Sequence, residues 1–250
     1  MLILLPPSET KEPGGDGVPI DLDGLALPSL RPQRAEVLAS LIALSDDADE
    51  AARVLKLGPR QRDEIAVNTA LRTAPTRPAV DRYTGVLFDA LDASSLDAAS
   101  RRWLKTHVLI HSAPLGPVGA LDPLPNYRLG AGVRLPGLAA PTRHWAPAVT
   151  AALGAAAPPF ILDLRSHAYV ALGPVPAAVA AVSLRVVADA PGGALRALNH
   201  FNKRAKGDLV RRLALERPRI RSVAGFRRWA DDAGLRLVGA SDSAELDLVV

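Results

Sequence analysis

The sequence predicts a single mixed α/β domain over residues 1–250, and three observations lead there. Short apolar runs at Met1–Leu5 and Val108–Ile110 read as buried strands, and Phe160–Leu164 and Val182–Val187 look like further strands. The segments between them carry apolar residues at three- and four-residue spacing, as on one side of a helix. No internal repeat and no clean linker divides the chain. Hydrophobic residues make up 48% and charged residues 22%, the balance of a globular protein, and 250 residues suffice for a substantial core.

Composition also limits function. The net charge of +4 permits an anionic partner without requiring one, and arginine dominates the cations, which favours planar contacts to phosphate or carboxylate. The absence of cysteine excludes disulfides, thiolate metal clusters and cysteine nucleophiles. The opening MLILLPPSETK lacks a basic start and is too short in apolar residues for a signal peptide. No apolar run approaches the roughly 18 residues of a membrane span, so the expectation is a cytoplasmic protein without a membrane partner.

In chain order, Met1–Leu5 is a buried strand stopped by Pro6 and Pro7. Ser8, Glu9 and Lys11 follow directly, at the strand exit where α/β folds commonly place ligands; a plain surface loop is the alternative. Leu30–Leu44 reads as a helix, and Asp46 and Asp47 open a second helix running to about Leu55. Leu57-Gly58-Pro59 then interrupts, and Arg60–Arg72 resumes as helix. This is the outline of a helix-hairpin-helix whose turn would offer N–H groups to a DNA phosphate, with Lys56, Gly58 and Arg60 as the contact residues. An ordinary helical hairpin fits the same pattern.

Asp81–Leu91 is an aromatic and apolar block suited to the core, and Ser94-Ser95 can cap a helix through Leu104. His107 and His111 share one side but lack an acid at metal-site spacing, so no metal is expected. The stretch from His111 to Leu138 is rich in glycine and proline, has little periodicity, and reads as a long functional or disordered loop holding Tyr127 and Arg128. Trp145–Leu153 is helical, and the Phe160–Leu164 strand delivers Arg165, Ser166 and Tyr169 at its exit. Asp189–Gly193 is a turn, Val223–Asp232 a helix, and Leu235–Val238 with Leu246–Val250 closing strands.

The most informative stretch is NHFNKRAKGDLVRRL, Asn199–Leu213. Phe201, Ala205, Leu209 and Leu213 recur every fourth position, whereas Lys203, Lys206, Gly207 and Val210 fall on the opposite side. A packed back and a cationic front with a glycine suit a polyanion approaching the backbone; a solvated basic face is the alternative. Lys203, Arg204 and Lys206, with Ser8, Lys11, Tyr127, Arg128, Arg165 and Ser166, could line one cationic recess. Neither a Gly-x-Ser-x-Gly elbow nor a phosphate-binding Gly-x-x-x-x-Gly-Lys-Ser/Thr loop occurs, so neither hydrolase design applies.

Five blocks in order resemble the YaaA family of peroxide stress proteins: MLILLPPSETK, YTGVLFDAL, LDPLPNYRLGAG, LDLRSHAY and FNKRAKGDLVRRL. Two places depart from the better-known members. The segment from His111 lacks the tyrosine of a Ser-Gly-Leu-Tyr-Gly stretch, and Arg165-Ser166 stands where an Ala-Ser-like pair is expected. The resemblance implies an α/β domain of unusual topology with a positively charged cleft and a helix-hairpin-helix-like element. It also implies double-stranded DNA as partner, held mostly by its backbone, and a role in limiting iron-dependent damage under peroxide, with no cofactor. The alternative is an enzyme acting on a nucleotide or other small anionic substrate, such as a phosphorylated small molecule, with Glu9 as general acid or base and Lys11 or Lys206 as anion anchor.

Overall fold

The computed structural model describes residues 1–189, 195–197, 199–240 and 243–250. Its strands are β1 (Leu2–Leu5), β2 (Arg77–Pro78), β3 (Val108–Ser112), β4 (Gly116–Gly119), β5 (Pro123–Leu124), β6 (Ile161–Asp163), β7 (Ala181–Asp189), β8 (Leu195–Ala197), β9 (Arg236–Val238) and β10 (Glu245–Val249). Its α-helices are α1 (Arg31–Ser45), α2 (Ala48–Leu55), α3 (Ala66–Thr69), α4 (Ala79–Arg82), α5 (Val86–Leu91), α6 (Ala98–His107), α7 (Pro141–Ala155), α8 (His167–Ala171), α9 (Asn199–Glu216) and α10 (Val223–Asp232).

One mixed sheet organises the fold, in the order β4-β3-β1-β6-β7-β10-β9, with β8 pairing β7. The central strands β3, β1, β6, β7 and β10 are parallel, and β4, β8 and β9 pair antiparallel at its margins. Of these parallel strands β1, β3 and β6 are buried, which is why β1 and the first residues of β3 and β6 are apolar, with His111, Ser112 and Asp163 appearing only at the strand ends. Because β1 lies between β3 and β6, the chain leaves all three strands on one side of the sheet, and residues from widely separated segments meet there.

The predicted strands and helices form, with informative exceptions. The supposed long loop after β3 turns back at once as β4, and every residue from His111 to Ala120 is buried. Arg34 and Arg82 are both fully buried and serve buried backbone carbonyls, which need donors, and Arg34 is the one that reaches this stretch. Arg34 donates to the carbonyls of Leu115, Ala26 and Pro117 at 2.9, 2.7 and 2.8 Å. Arg82 donates to those of Leu124 at 3.1 Å, Pro75 at 3.4 Å, and Glu12. Burial lowers both guanidiniums to about 10, and Asp122 opposes the shift at Arg34.

Helix α6 is capped by Asp97, whose carboxylate accepts from Ser100 N–H at 2.7 Å, and Ser94-Ser95 lie instead in a short 3₁₀ turn. The predicted turn at Asp189–Gly193 falls largely outside the described residues, as does part of the connection between β9 and β10.

The expected helix-hairpin-helix is replaced by α2, a left-handed Lys56 (φ 57°), and a 3₁₀ segment over Pro59–Ile65 that leads into the single turn of α3. The turn's donors are already occupied. Lys56 N–H donates to Arg53 O at 3.4 Å, Leu57 N–H to Ala52 O at 2.9 Å, and Gly58 N–H to Gln61 Oε1 at 3.2 Å. These three N–H groups are therefore engaged within the turn. Lys56 and Arg60 project into solvent.

Candidate functional site

At the exit of β1 the chain crosses from Ser8 to Lys11 and bridges to Tyr83, the first of three residues between α4 and α5. Thr84 N–H donates to Thr10 O at 3.2 Å, and the Thr10 hydroxyl donates to Thr84 O at 3.3 Å. Gly85 (φ 95°) closes this crossing, since a side chain there would stand 3.3 Å from both the Ser8 and Thr10 hydroxyl oxygens. Glu9 stays exposed while Lys11 is drawn inward.

Lys11 lies against aromatic faces. Its Nζ is 4.1 Å from the centroid of the Tyr127 ring and 5.7 Å from that of Tyr83, and it donates to Glu9 O at 3.1 Å. Burial, reinforced by the positive charges of Arg128 and Arg82, lowers its ammonium to about 8 despite Glu64 and Glu9. The Tyr83 and Tyr127 hydroxyls are 2.8 Å apart, and burial raises both phenols. Beside them Ser112, at the end of β3, is fully buried and its hydroxyl completes no well-formed hydrogen bond.

Arg128 is positioned through its backbone. Its N–H donates to Asn68 Oδ1 at 2.8 Å, and Asn68 Nδ2 donates to Arg128 O at 3.0 Å, with Asn68 itself fully buried. Its guanidinium then reaches Glu64 at 3.3 Å.

The exit of β6 supplies the second half. Arg165 is buried and paired with Asp163, through Nε at 2.9 Å and NH2 at 2.7 Å. Its NH1 donates to Gly173 O at 2.9 Å and to His111 Nδ1 at 3.0 Å. Burial and this guanidinium push His111 well below the ordinary histidine range, so the ring is neutral and carries its proton on Nε2, which has no partner. Tyr169 packs on His111 at 5.6 Å between centroids, and burial raises its phenol, with Tyr127 and Glu9 contributing. Ser166 opens α8 and is exposed, without a side-chain capping bond. The two stretches that depart from the resembled family, at His111 and Arg165, are thus hydrogen-bonded partners.

Helix α9 contributes Lys206. Its Nζ donates to Leu164 O at 3.1 Å, and burial lowers its ammonium although Asp163 opposes the shift. Lys203 and Arg204 do not join it; both are exposed, and Arg204 lies 3.8 Å from Asp208. The predicted cationic front is therefore largely a packed face. Val210 is fully buried, and a methyl group on Gly207 would stand 2.2 Å from Leu87 O, so this glycine brings α9 against α5 and does not open backbone to a polyanion.

Of the predicted residues, Ser8, Glu9, Lys11, Tyr127, Arg128, Arg165 and Lys206 gather around the exits of β1 and β6, whereas Lys56, Gly58 and Arg60 lie on the α2 turn. Tyr83, His111 and Ser112 are additions. A tyrosine inside the apolar block YTGVLFDAL was the available signal, because its hydroxyl needs a polar neighbour. Among the described residues no cluster of three metal-ligating side chains occurs, and no helix is long and apolar enough to cross a membrane.

The family described as peroxide stress protein YaaA matches residues 1–239. A UPF0246 protein of Corynebacterium efficiens is 45% identical over 229 residues, covering 90% of this chain and 89% of the relative. One from Streptomyces coelicolor is also 45% identical, over 216 residues, with 85% and 82% coverage. A more distant relative in Paracidovorax citrulli is 32% identical, covering 79% of this chain and 76% of its own length.

Proposed function

The chain belongs to the family of peroxide stress protein YaaA, and from that footing we propose that it acts in the peroxide response on a small anionic ligand held at the Lys11 centre. A nucleotide or a phosphorylated metabolite has the matching chemistry. Lys11 and Arg128 supply the positive charge, and Glu9 is the carboxylate placed to exchange a proton with a ligand. The observation that carries this reading is the Lys11 amine seated 4.1 Å over Tyr127 and held partly out of water. A long DNA backbone needs several solvated cations in a row, whereas Lys206 and Arg165 are buried and already bonded to the protein.

Calorimetric titration with pyrophosphate and with ATP is the direct test. Wild type should bind at least one of them, and Lys11→Met should weaken that binding about tenfold or more, the loss of one charge-assisted contact. Binding unchanged in Lys11→Met would move the anion site elsewhere.

A second reading retains double-stranded DNA, contacted along its backbone, as the means of limiting iron-dependent damage. The exposed Lys203 and Arg204, on the same helix that delivers Lys206, favour it. Binding to a labelled duplex should then weaken steeply with salt. The Lys203→Ala/Arg204→Ala double variant should lower the log–log slope by about 1.8. A slope identical to wild type would remove both residues from the interface.

A further inference from the structure

We infer that Lys11 is a nucleophilic amine that condenses with the carbonyl group of an anionic aldehyde to form an imine. This deepens the small-anion reading and rests on the same centre. Three features of the geometry support it. The Lys11 Nζ lies over an aromatic face, and its hydrogen bond goes to the Glu9 carbonyl rather than to a carboxylate that would hold it as an ammonium. Charged groups acting on it are of both signs: Arg128 and Arg82 disfavour its protonated form, Glu64 and Glu9 favour it, and the neighbouring phenols of Tyr83 and Tyr127 are held neutral by burial. The side chain is half-buried rather than sealed, so a ligand can reach the amine, with Arg128 beside it for an anionic tail.

The chemistry balances without any redox partner. The neutral amine's lone pair attacks the carbonyl carbon, a C–N bond forms, and the C=O π pair moves to oxygen, which takes a proton. The nitrogen gives up its two protons in turn, one to the alkoxide oxygen and one to the hydroxyl, which leaves as water as the C=N bond forms; amine plus aldehyde gives imine plus water. Glu9, exposed at the same turn, is placed to take the proton from nitrogen and return it to the departing hydroxyl.

The full-length protein contains five lysines, Lys11, Lys56, Lys105, Lys203 and Lys206, so trapping can be resolved residue by residue. The experiment is brief exposure to pyridoxal 5′-phosphate, and in parallel to the uncharged propanal, followed by borohydride reduction and peptide mass spectrometry. Adducts should accumulate at Lys11 about tenfold faster than at the exposed Lys56, Lys105 and Lys203. The rate should rise with pH through about 8, where burial places this amine. Lys11→Arg, which keeps a cation over the ring, should abolish the preferred adduct, and Lys105→Arg should leave it intact. Preferred labelling by propanal but not by pyridoxal 5′-phosphate would keep the nucleophile and refute the anion site. Phosphate binding that depends on Lys11, together with no preferred adduct from either aldehyde, would refute the nucleophile and keep the anion site.

Discussion

The exit of β1 and the turn after α2 are both basic, and they treat their charges in opposite ways. At the strand exits, Lys11 and Lys206 are taken out of water, and burial lowers both amines. At the turn, Lys56 and Arg60 remain solvated, and Arg62 pairs with Asp49 at 2.8 Å. The N–H groups of Lys56, Leu57 and Gly58 are engaged within the turn. The difference teaches that a cation marks a chemical centre when the fold has desolvated it against oriented partners, and that charge density alone does not. A solvated lysine on a closed turn is a surface residue first.

The largest expected effect would break the buried side of this contrast. Arg165→Met leaves the Asp163 carboxylate, 7% exposed, without its cation. The cost should be about 3–5 kcal/mol in urea-induced unfolding, and a change under 1 kcal/mol would show that the pair is dispensable. Next comes Gly207→Val, which forces α9 away from the Leu87 carbonyl and withdraws Lys206 from Leu164. A loss of about 1–3 kcal/mol is expected, read from the same denaturation curves.

A smaller effect is tied to pH. The folded-state value of Lys11, about 8, lies below its usual 10.5, so between them the unfolded chain binds more protons than the folded one. The stability difference between wild type and Lys11→Met should therefore shift in favour of wild type as pH rises from about 8 towards 10.5. A difference flat with pH would mean that Lys11 titrates normally. The smallest change belongs to the turn: Lys56→Ala and Arg60→Ala should each alter stability by less than about 0.5 kcal/mol and leave small-anion binding untouched.

Much of this architecture was legible in the sequence because local physics and the fold agree. The runs at β1 and at the start of β3 and β6 are apolar where a parallel sheet buries them, and α10 spans the predicted Val223–Asp232. The stretch from His111 to Ala120 misled because its glycines and prolines signal a surface loop, whereas Arg34, from another helix, supplies the donors that let it be buried. The segment after Gly58 misled in the opposite direction: its residues suit a helix, but it tightens into a 3₁₀ turn. At the site, Lys11 and Arg165 could be found because polar residues following apolar strands stand out, and Tyr127 because it lies in the long glycine- and proline-rich stretch. Tyr83 was signalled only by a hydroxyl inside an apolar block, and His111 and Ser112 sit in a strand and turn-like stretch where their burial and, for His111, its partner Arg165 appear only in the fold. On α9, Gly207 and Val210 were assigned to the open face by spacing alone, which cannot tell which neighbour, here α5, will cover it.

The most direct test of the central claim, that the β1 exit is a desolvated centre built to receive an anion, is an NMR titration of the five lysine side chains by their ε-carbons. Lys11 should show an inflection near 8 that moves upward when pyrophosphate is added, while the signals of the exposed Lys56, Lys105 and Lys203 do not respond to pyrophosphate. An inflection for Lys11 in the ordinary lysine range, unmoved by pyrophosphate, would contradict it.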